Sequence, residues 1–198
     1  MTTTLAGELL RKLIHLFSII VPLAYFFYIK DKILMTIILI ILTLIALIVE
    51  YARRNQKNKI GYFFQKYIKS ILRPNEKRGC FTGATWMLIG YTITVLTFEN
   101  DVAVLALLFL SIGDSCAGIF GRIFPFGKVW NKSIFGSFVG LISCIIFGIV
   151  INTALPVEVI FFGAISGMFI EIIPLKIDDN FSIPIFSGFM MQVLKDTL

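Results

Sequence analysis

Between two strongly apolar stretches, residues 111–140 read S-I-G-D-S-C-A-G-I-F-G-R-I-F-P-F-G-K-V-W-N-K-S-I-F-G-S-F-V-G. This stretch holds one carboxylate, Asp114, the cations Arg122, Lys128 and Lys132, and the glycines Gly113, Gly118, Gly121, Gly127 and Gly136. An ionised side chain at membrane depth costs about 2.5–3.5 kcal/mol on insertion scales, so such a group marks a site that binds something polar. Cations and glycine-freed backbone amides ahead of a helix N-terminus, with the hydroxyls of Ser133 and Ser137, suit a phosphate-type anion. Asp114 suits Mg²⁺ or a basic partner. The spacing is not that of a Walker A loop, because G-x-x-x-x-G-K-[ST] needs one residue fewer between Gly121 and Gly127 and a hydroxyl where Val129 stands. The competing reading is an interfacial loop whose cations mark the inner side of a membrane.

Two further polar groups bear on this one. Glu171 to Pro184 reads E-I-I-P-L-K-I-D-D-N-F-S-I-P, with Glu171 at membrane depth and Asp178, Asp179 and Asn180 together before an apolar run. Clustered carboxylates and an amide offer oxygen ligands to Mg²⁺ or a base to a hydroxyl proton. A helix N-cap with favourable dipole charges accounts for one Asp or Asn there, and not for Glu171 as well. Near the N-terminus, Arg11 and Lys12 precede His15 at i, i+4 and i, i+3, which sets all three on one helix face. That face is either a snorkelling basic anchor or part of an anion-holding wall inside a bundle.

Such groups need a scaffold that places them in a membrane. The chain has 198 residues, 58% of them hydrophobic and 15% charged, against about 45–50% and 25% in soluble domains. The composition predicts an all-α, polytopic transmembrane bundle of about seven spans. A single domain, 1–198, contains them. The spans are placed at 12–29, 33–49, 82–98, 102–120, 134–153, 157–174 and 181–196. The first follows Arg11 and Lys12 but has no A-x-A cleavage site, so it is expected in the mature protein.

Sidedness follows from the basic residues. With the segment from Arg53 to Arg78 on the cytoplasmic side, every Lys and Arg except Lys30, Lys32 and Lys195 falls on that side. The N-terminus and the site loops after spans four and six are then cytoplasmic in a multi-pass integral membrane protein. The net charge of +6 faces anionic membrane lipids and does not imply nucleic acid. Ile60 to Leu72, with Lys59, Lys66, Lys69 and Arg73 on its polar face, is expected as an interfacial amphipathic helix. Span two, with nothing stronger than Thr36 and Thr43, should face lipid. The G-C-F-T-G run from Gly79 to Gly83, followed by Ala84, Thr85 and Gly90, reads as close helix packing or as backbone approaching a ligand. Cys80, Cys116 and Cys144 lie far apart and read as buried free thiols. The sequons at Asn131 and Asn180 fall on the cytoplasmic side, where no glycosylation is expected. Composition leaves the oligomeric state open, a homodimer included.

Four motifs occur in order: R-K-x-x-H at Arg11–His15, G-D-S-x-A-G-x-x-G-R at Gly113–Arg122, K-S-x-x-G-S at Lys132–Ser137 and E-x(6)-D-D-N-x-x-I-P at Glu171–Pro184. In this the chain resembles the CTP-dependent lipid-alcohol kinases: dolichol kinase, phytol kinase and the yeast-type CTP-dependent diacylglycerol kinase. The resemblance implies transfer of the γ-phosphoryl group of CTP, with Mg²⁺, to a membrane-resident alcohol of the polyprenol, phytol, geranylgeraniol or diacylglycerol type. It puts Asp114, Gly121, Arg122, Lys128, Lys132, Ser133, Gly136 and Ser137 at the nucleotide. Asp178, Asp179 and Asn180 fall at the metal or the acceptor hydroxyl, and Asp114, Asp178 and Asp179 become the metal ligands. Asp114, Asp178, Asp179 and Lys132 are the groups expected to carry the reaction, supported by Lys12, His15, Glu171 and Asn180.

Two other readings compete. A CTP:phosphatidate cytidylyltransferase has a lysine followed by W-E-G, and Lys132-Ser133-Ile134-Phe135-Gly136 lacks the W-E pair. A small transporter or membrane scaffold would use Asp114, Glu171 and His15 as relay groups inside the bundle. The usual transporter plan has an internal repeat, which this chain lacks.

Overall fold

Every residue from Val102 to Ser115 is buried, and a helix that is apolar on all sides belongs at the centre of a bundle. The computed structural model of the chain describes residues 5–55, 58–68, 71–130, 132–151 and 154–198; the basic residues Lys57 and Lys69 and the sequon at Asn131 lie outside the described residues. The central rod is α7 (Asn100–Leu108), a π-helical turn over Phe109–Asp114, and α8 (Ser115–Ile123). Around it stand α6 (Gly83–Thr97), α9 (Ile134–Ile151), α10 (Val157–Ile172) and α11 (Asp179–Thr197). The N-terminal α1 (Leu5–Phe17) packs against α8, and α2 (Ile20–Ala24), which widens into a π-helical turn at Tyr25–Ile29, packs against α7. Outside α6 lies α3 (Lys32–Arg54), started by Asp31, whose carboxylate accepts the Leu34 N–H at 2.7 Å.

Short elements close one end. They are α4 (Lys59–Phe63) with the π-helical turn Phe64–Ile68, α5 (Pro74–Lys77), and an antiparallel hairpin of β1 (Lys128–Val129) and β2 (Lys132–Ser133) that pairs Val129 with Lys132.

Among the described residues, four stretches are long and apolar enough to cross a membrane: Leu9–Ile29, Lys32–Arg54, Asn100–Ile123 and Ile134–Ile151. Large apolar side chains such as Phe17, Ile33, Ile48, Val150 and Phe169 cover the outside of the bundle, an arrangement suited to hydrocarbon rather than water. The described residues of all seven apolar stretches read from the sequence are mainly helical, with shifts that matter at their ends. The second runs past its expected end at Val49 to Arg54, and Glu50 and Arg53 are buried in that extension, while from Ile33 to Val49 only Met35, Thr36 and Leu39 are buried. The amphipathic segment is helical over Lys59–Ile68 and has left the helix by Ile71. The cysteines differ from expectation too, Cys144 being buried but Cys116 half-buried and Cys80 exposed.

Gly90 shows how closely the helices approach. A Cβ there would stand 2.8 Å from the Asn180 carbonyl oxygen and 3.1 Å from Phe181 Cα, where Pro184 inside α11 removes an N–H that would have bonded that carbonyl. Gly90→Val is expected to cost about 1–3 kcal/mol by overpacking and to lower the thermal midpoint in detergent. An unchanged midpoint would show that α6 and α11 have room to spare.

Candidate active site

The buried charged residues gather at one end of the bundle. Asp114, the last residue of the central π-helical turn, is buried, and the Lys12 ammonium from α1 meets its Oδ2 at 2.5 Å and its backbone carbonyl at 3.0 Å. One turn along α1, His15 Nε2 lies 3.9 Å from the same carboxylate and 2.8 Å from Asn180 Oδ1. Asn180 Nδ2 donates to the Gly83 carbonyl at 2.9 Å, which fixes the amide so that its oxygen faces the imidazole. His15 therefore carries its proton on Nε2 and leaves Nδ1 as an acceptor, 3.4 Å from the Ser115 hydroxyl. Lys12 and His15 thus turn inward, toward a carboxylate of the protein itself.

A second cluster surrounds Lys132. Its ammonium lies 2.8 Å from Glu171 Oε1 and 2.7 Å from Asp179 Oδ2, and the Ser137 hydroxyl donates to Glu171 Oε2 at 2.7 Å. Burial alone would lower the Lys132 pKa, but the Asp179, Glu171 and Asp114 carboxylates outweigh it and hold it above the usual lysine value. Burial pushes the Asp179 carboxyl up; the pull of Lys132 is opposed by the neighbouring Asp114 and Asp178 charges. One ammonium serving several carboxylates leaves the cluster short of positive charge.

Asp178 combines two bonds. It caps α11 by accepting the Asn180 N–H at 3.1 Å, as the helix-cap reading expected, and it also takes the Arg73 guanidinium at 2.7 Å. Burial opposes the Arg73 charge, and Asp178 with Glu76 more than restores it, so its pKa is raised.

Sequence reasoning missed the frame behind these residues. Buried Arg53 binds Glu50 at 2.5 Å and the carbonyls of Glu76 and Cys80, while Glu50 accepts the Thr82 N–H at 2.7 Å and the Thr85 hydroxyl at 3.0 Å. Glu76 in turn accepts the N–H groups of Arg73 and Gly83. The G-C-F-T-G run is thereby pinned to α3, and Gly83 presents its carbonyl to Asn180. The available signal was an i, i+3 acid–base pair at the end of an apolar helix. Removing one partner of such a buried pair costs about 3–5 kcal/mol. Glu50→Ala should therefore unfold well below the parent in a detergent melt, and the double variant Glu50→Ala/Arg53→Met should recover part of the loss. No recovery would mean that the pair does not act as a unit.

The other expected residues are more dispersed. Arg122 is exposed on the last turn of α8 and Lys128 is exposed on β1. Gly121 and Gly136 face one another, and a Cβ on Gly136 would run into the Ala117 carbonyl and the Gly121 backbone, so both serve the contact of α8 with α9. Ser133 donates to the Phe126 carbonyl at 3.0 Å and accepts the Gly136 N–H at 3.4 Å. Asp114, Asp178 and Asp179 are each bound by a different cation. Among the described residues no three His, Cys, Asp or Glu side chains form one metal-type group. The pair that shares a cation is Asp179 with Glu171. Two carboxylates completed by substrate phosphates are an ordinary setting for Mg²⁺, so the residues present fit that ion.

Two cavities flank Arg73 and Glu76. One, of about 420 Å³, has apolar walls and reaches Asp114, His15 and Asn180. The other, of about 350 Å³, is bounded by Asn75, Phe81, Trp86, Lys176, Asp178 and Asp179.

Comparison with known proteins bears on this arrangement. The chain is 30% identical over 185 residues to the uncharacterized protein RP860 of Rickettsia prowazekii, an alignment covering 88% of each. The chain belongs to the same family as RP860. It is also 28% identical over 156 residues to CTP-dependent diacylglycerol kinase 1 of Eremothecium gossypii, covering 64% of this chain and 49% of the kinase. The chain matches about half the length of that kinase. No protein-family model and no solved structure matches it.

Proposed function

We propose that the protein is a CTP-dependent kinase of a membrane-resident lipid alcohol, built as one domain of seven spans with its N-terminus and site on the cytoplasmic face. The observation that carries this reading is the Lys132 ammonium held between Glu171 and Asp179, with Asp179 on the wall of a cavity of polar and aromatic lining and Asp114 on the wall of one of apolar lining. A triphosphate brings negative charge that Lys132 can take up, and a lipid substrate needs an apolar approach to the same point. The similarity to a CTP-dependent diacylglycerol kinase supports the donor and the acceptor class.

In this reading the acceptor oxygen attacks the γ-phosphorus of CTP. The bond from that phosphorus to the β–γ bridging oxygen breaks, CDP leaves with its electron pair, and the hydroxyl proton passes to the Asp114 carboxylate. Phosphoryl transfer of this kind depends mainly on positioning and charge neutralisation. Lys132 turns from its carboxylates to the transferring phosphate, with Arg122, Lys128 and the hydroxyls of Ser133 and Ser137 on the same side. Asp179 and Glu171, with Asp178 adjoining, would hold Mg²⁺, which would supply positive charge against that of the triphosphate. Asn180 orients His15, and Lys12 holds Asp114 in place.

The test incubates purified protein in lipid with γ-labelled CTP or ATP, Mg²⁺, and polyprenol, phytol, geranylgeraniol or diacylglycerol. Label on the lipid is the expected result; CMP retained on lipid with release of pyrophosphate would identify a cytidylyltransferase instead. Sidedness is checked separately. In a Cys80→Ser background, Lys128→Cys at the exposed hairpin should react with an impermeant maleimide only from the cytoplasmic side, and labelling from outside would invert the topology.

A further inference from the structure

The apolar-walled cavity has three properties that together identify an occupant. Its wall is formed by Ile14 from α1, Phe64 and Ile68 from the interfacial turn, and Leu72 and Met87, while its floor carries His15, Asp114 and Asn180. About 420 Å³ lies in the range of roughly 300–1,000 Å³ typical of small-molecule sites, enough for the head of a lipid and the start of its chain. Ile14 lines this space and is also 53% exposed on the outer face of α1, where Leu10, Leu13 and Phe17 are exposed as well. That face is apolar and borders the span Leu9–Ile29, so the cavity meets the bilayer at Ile14.

Charge balance sets the class of head group. The cations on the lining are Arg11, Lys12 and Arg73; Lys12 is matched by Asp114, Arg73 by Asp178, and Glu76 stands on the same wall. The lining itself carries these three cations and the two carboxylates Glu76 and Asp114, and Asp178, which binds Arg73 from the neighbouring cavity, brings the count level, so no surplus positive charge awaits a phosphate or carboxylate head. A neutral hydroxyl suits such a floor: it can donate to Asp114, where the Lys12–Asp114 pair would otherwise border hydrocarbon.

We propose that this cavity is the acceptor chamber, which admits the hydroxyl end of a neutral lipid alcohol sideways from the bilayer between α1 and the Phe64–Ile68 turn and sets the hydroxyl against Asp114. The chemistry at the floor rests on the kinase reading, whereas binding in the chamber does not require it. The interfacial helix is then a wall of the lipid site as well as a membrane anchor. The nucleotide approaches from the far side of Arg73, so the two substrates meet across that residue and need not cross paths.

The experiment uses the full chain in nanodiscs and a long-chain primary alcohol carrying a diazirine near its hydroxyl, with labelled positions mapped by mass spectrometry. Labelling is expected on the segments around Ile14, Ile68 and Met87, and should fall roughly tenfold, about 1.4 kcal/mol, in Ile14→Trp and Ala84→Trp. Both substitutions fill the chamber from exposed or partly exposed positions, and thermal midpoints should stay at the parent value. Labelling confined to the outer faces of α9 and α10, or indifferent to both substitutions, overturns the proposal. Equal competition by a fatty acid or phosphatidic acid overturns the neutral-head assignment. Chamber labelling without any phosphoryl transfer counts for the chamber and against the kinase reading alone, and transfer that persists with no chamber labelling does the reverse.

Discussion

Asp114→Asn should turn over about 10²–10⁴-fold more slowly than the parent while the protein remains folded. The carboxylate is buried beside Lys12 and stands at the floor of the apolar cavity. Asparagine keeps the shape and one acceptor but cannot take a proton or balance the ammonium. Lys12 is then an unmatched charge at membrane depth, so part of the loss will be stability, and the two contributions must be separated. Lys12→Met/Asp114→Asn removes both charges and should bring the thermal midpoint back toward the parent, since replacing a buried pair by apolar groups is often neutral. Activity should stay lost in the double variant. Full turnover by Asp114→Asn, or rescue of turnover along with stability, would take Asp114 out of the reaction.

Lys132→Ala and Asp179→Asn should fail in different ways. Removing the ammonium deletes a charge-assisted bond to the triphosphate, about 1.5–3 kcal/mol, and leaves Glu171 and Asp179 facing each other without a shared cation. CTP affinity should fall roughly 10- to 150-fold by that energy. Asp179→Asn keeps Lys132 paired with Glu171 and should bind CTP within a few-fold of the parent, but its turnover should collapse, because a charge needed chiefly in the transition state is gone. CTP titration of each variant, alongside rates at saturating alcohol, measures both. Normal CTP binding by Lys132→Ala, or parental rates for Asp179→Asn, would reverse the role given to that residue.

Composition and periodicity alone determined that this chain is a helical membrane protein, because apolar runs of the right length have few other stable states. They also determined that Asp114 and Glu171 are not incidental, since ionised groups in such runs require partners, whereas a single lysine such as Lys132 could equally have marked the inner side of a membrane. They could not say which partners. Lys12 finds Asp114 across 102 residues, Lys132 finds Asp179 across 47, and His15 finds Asn180 across 165, and no local spacing encodes such pairings. Gly121 and Gly136 looked like phosphate-binding glycines, and packing shows them closing the contact between α8 and α9. The sequence reading places Arg53 only at the start of a basic cytoplasmic segment and gives Glu50 no role, yet together they hold the loop that orients Asn180. The reason is common to all of these: a buried charge states only that it must be matched, and the choice of match belongs to the packing of distant helices.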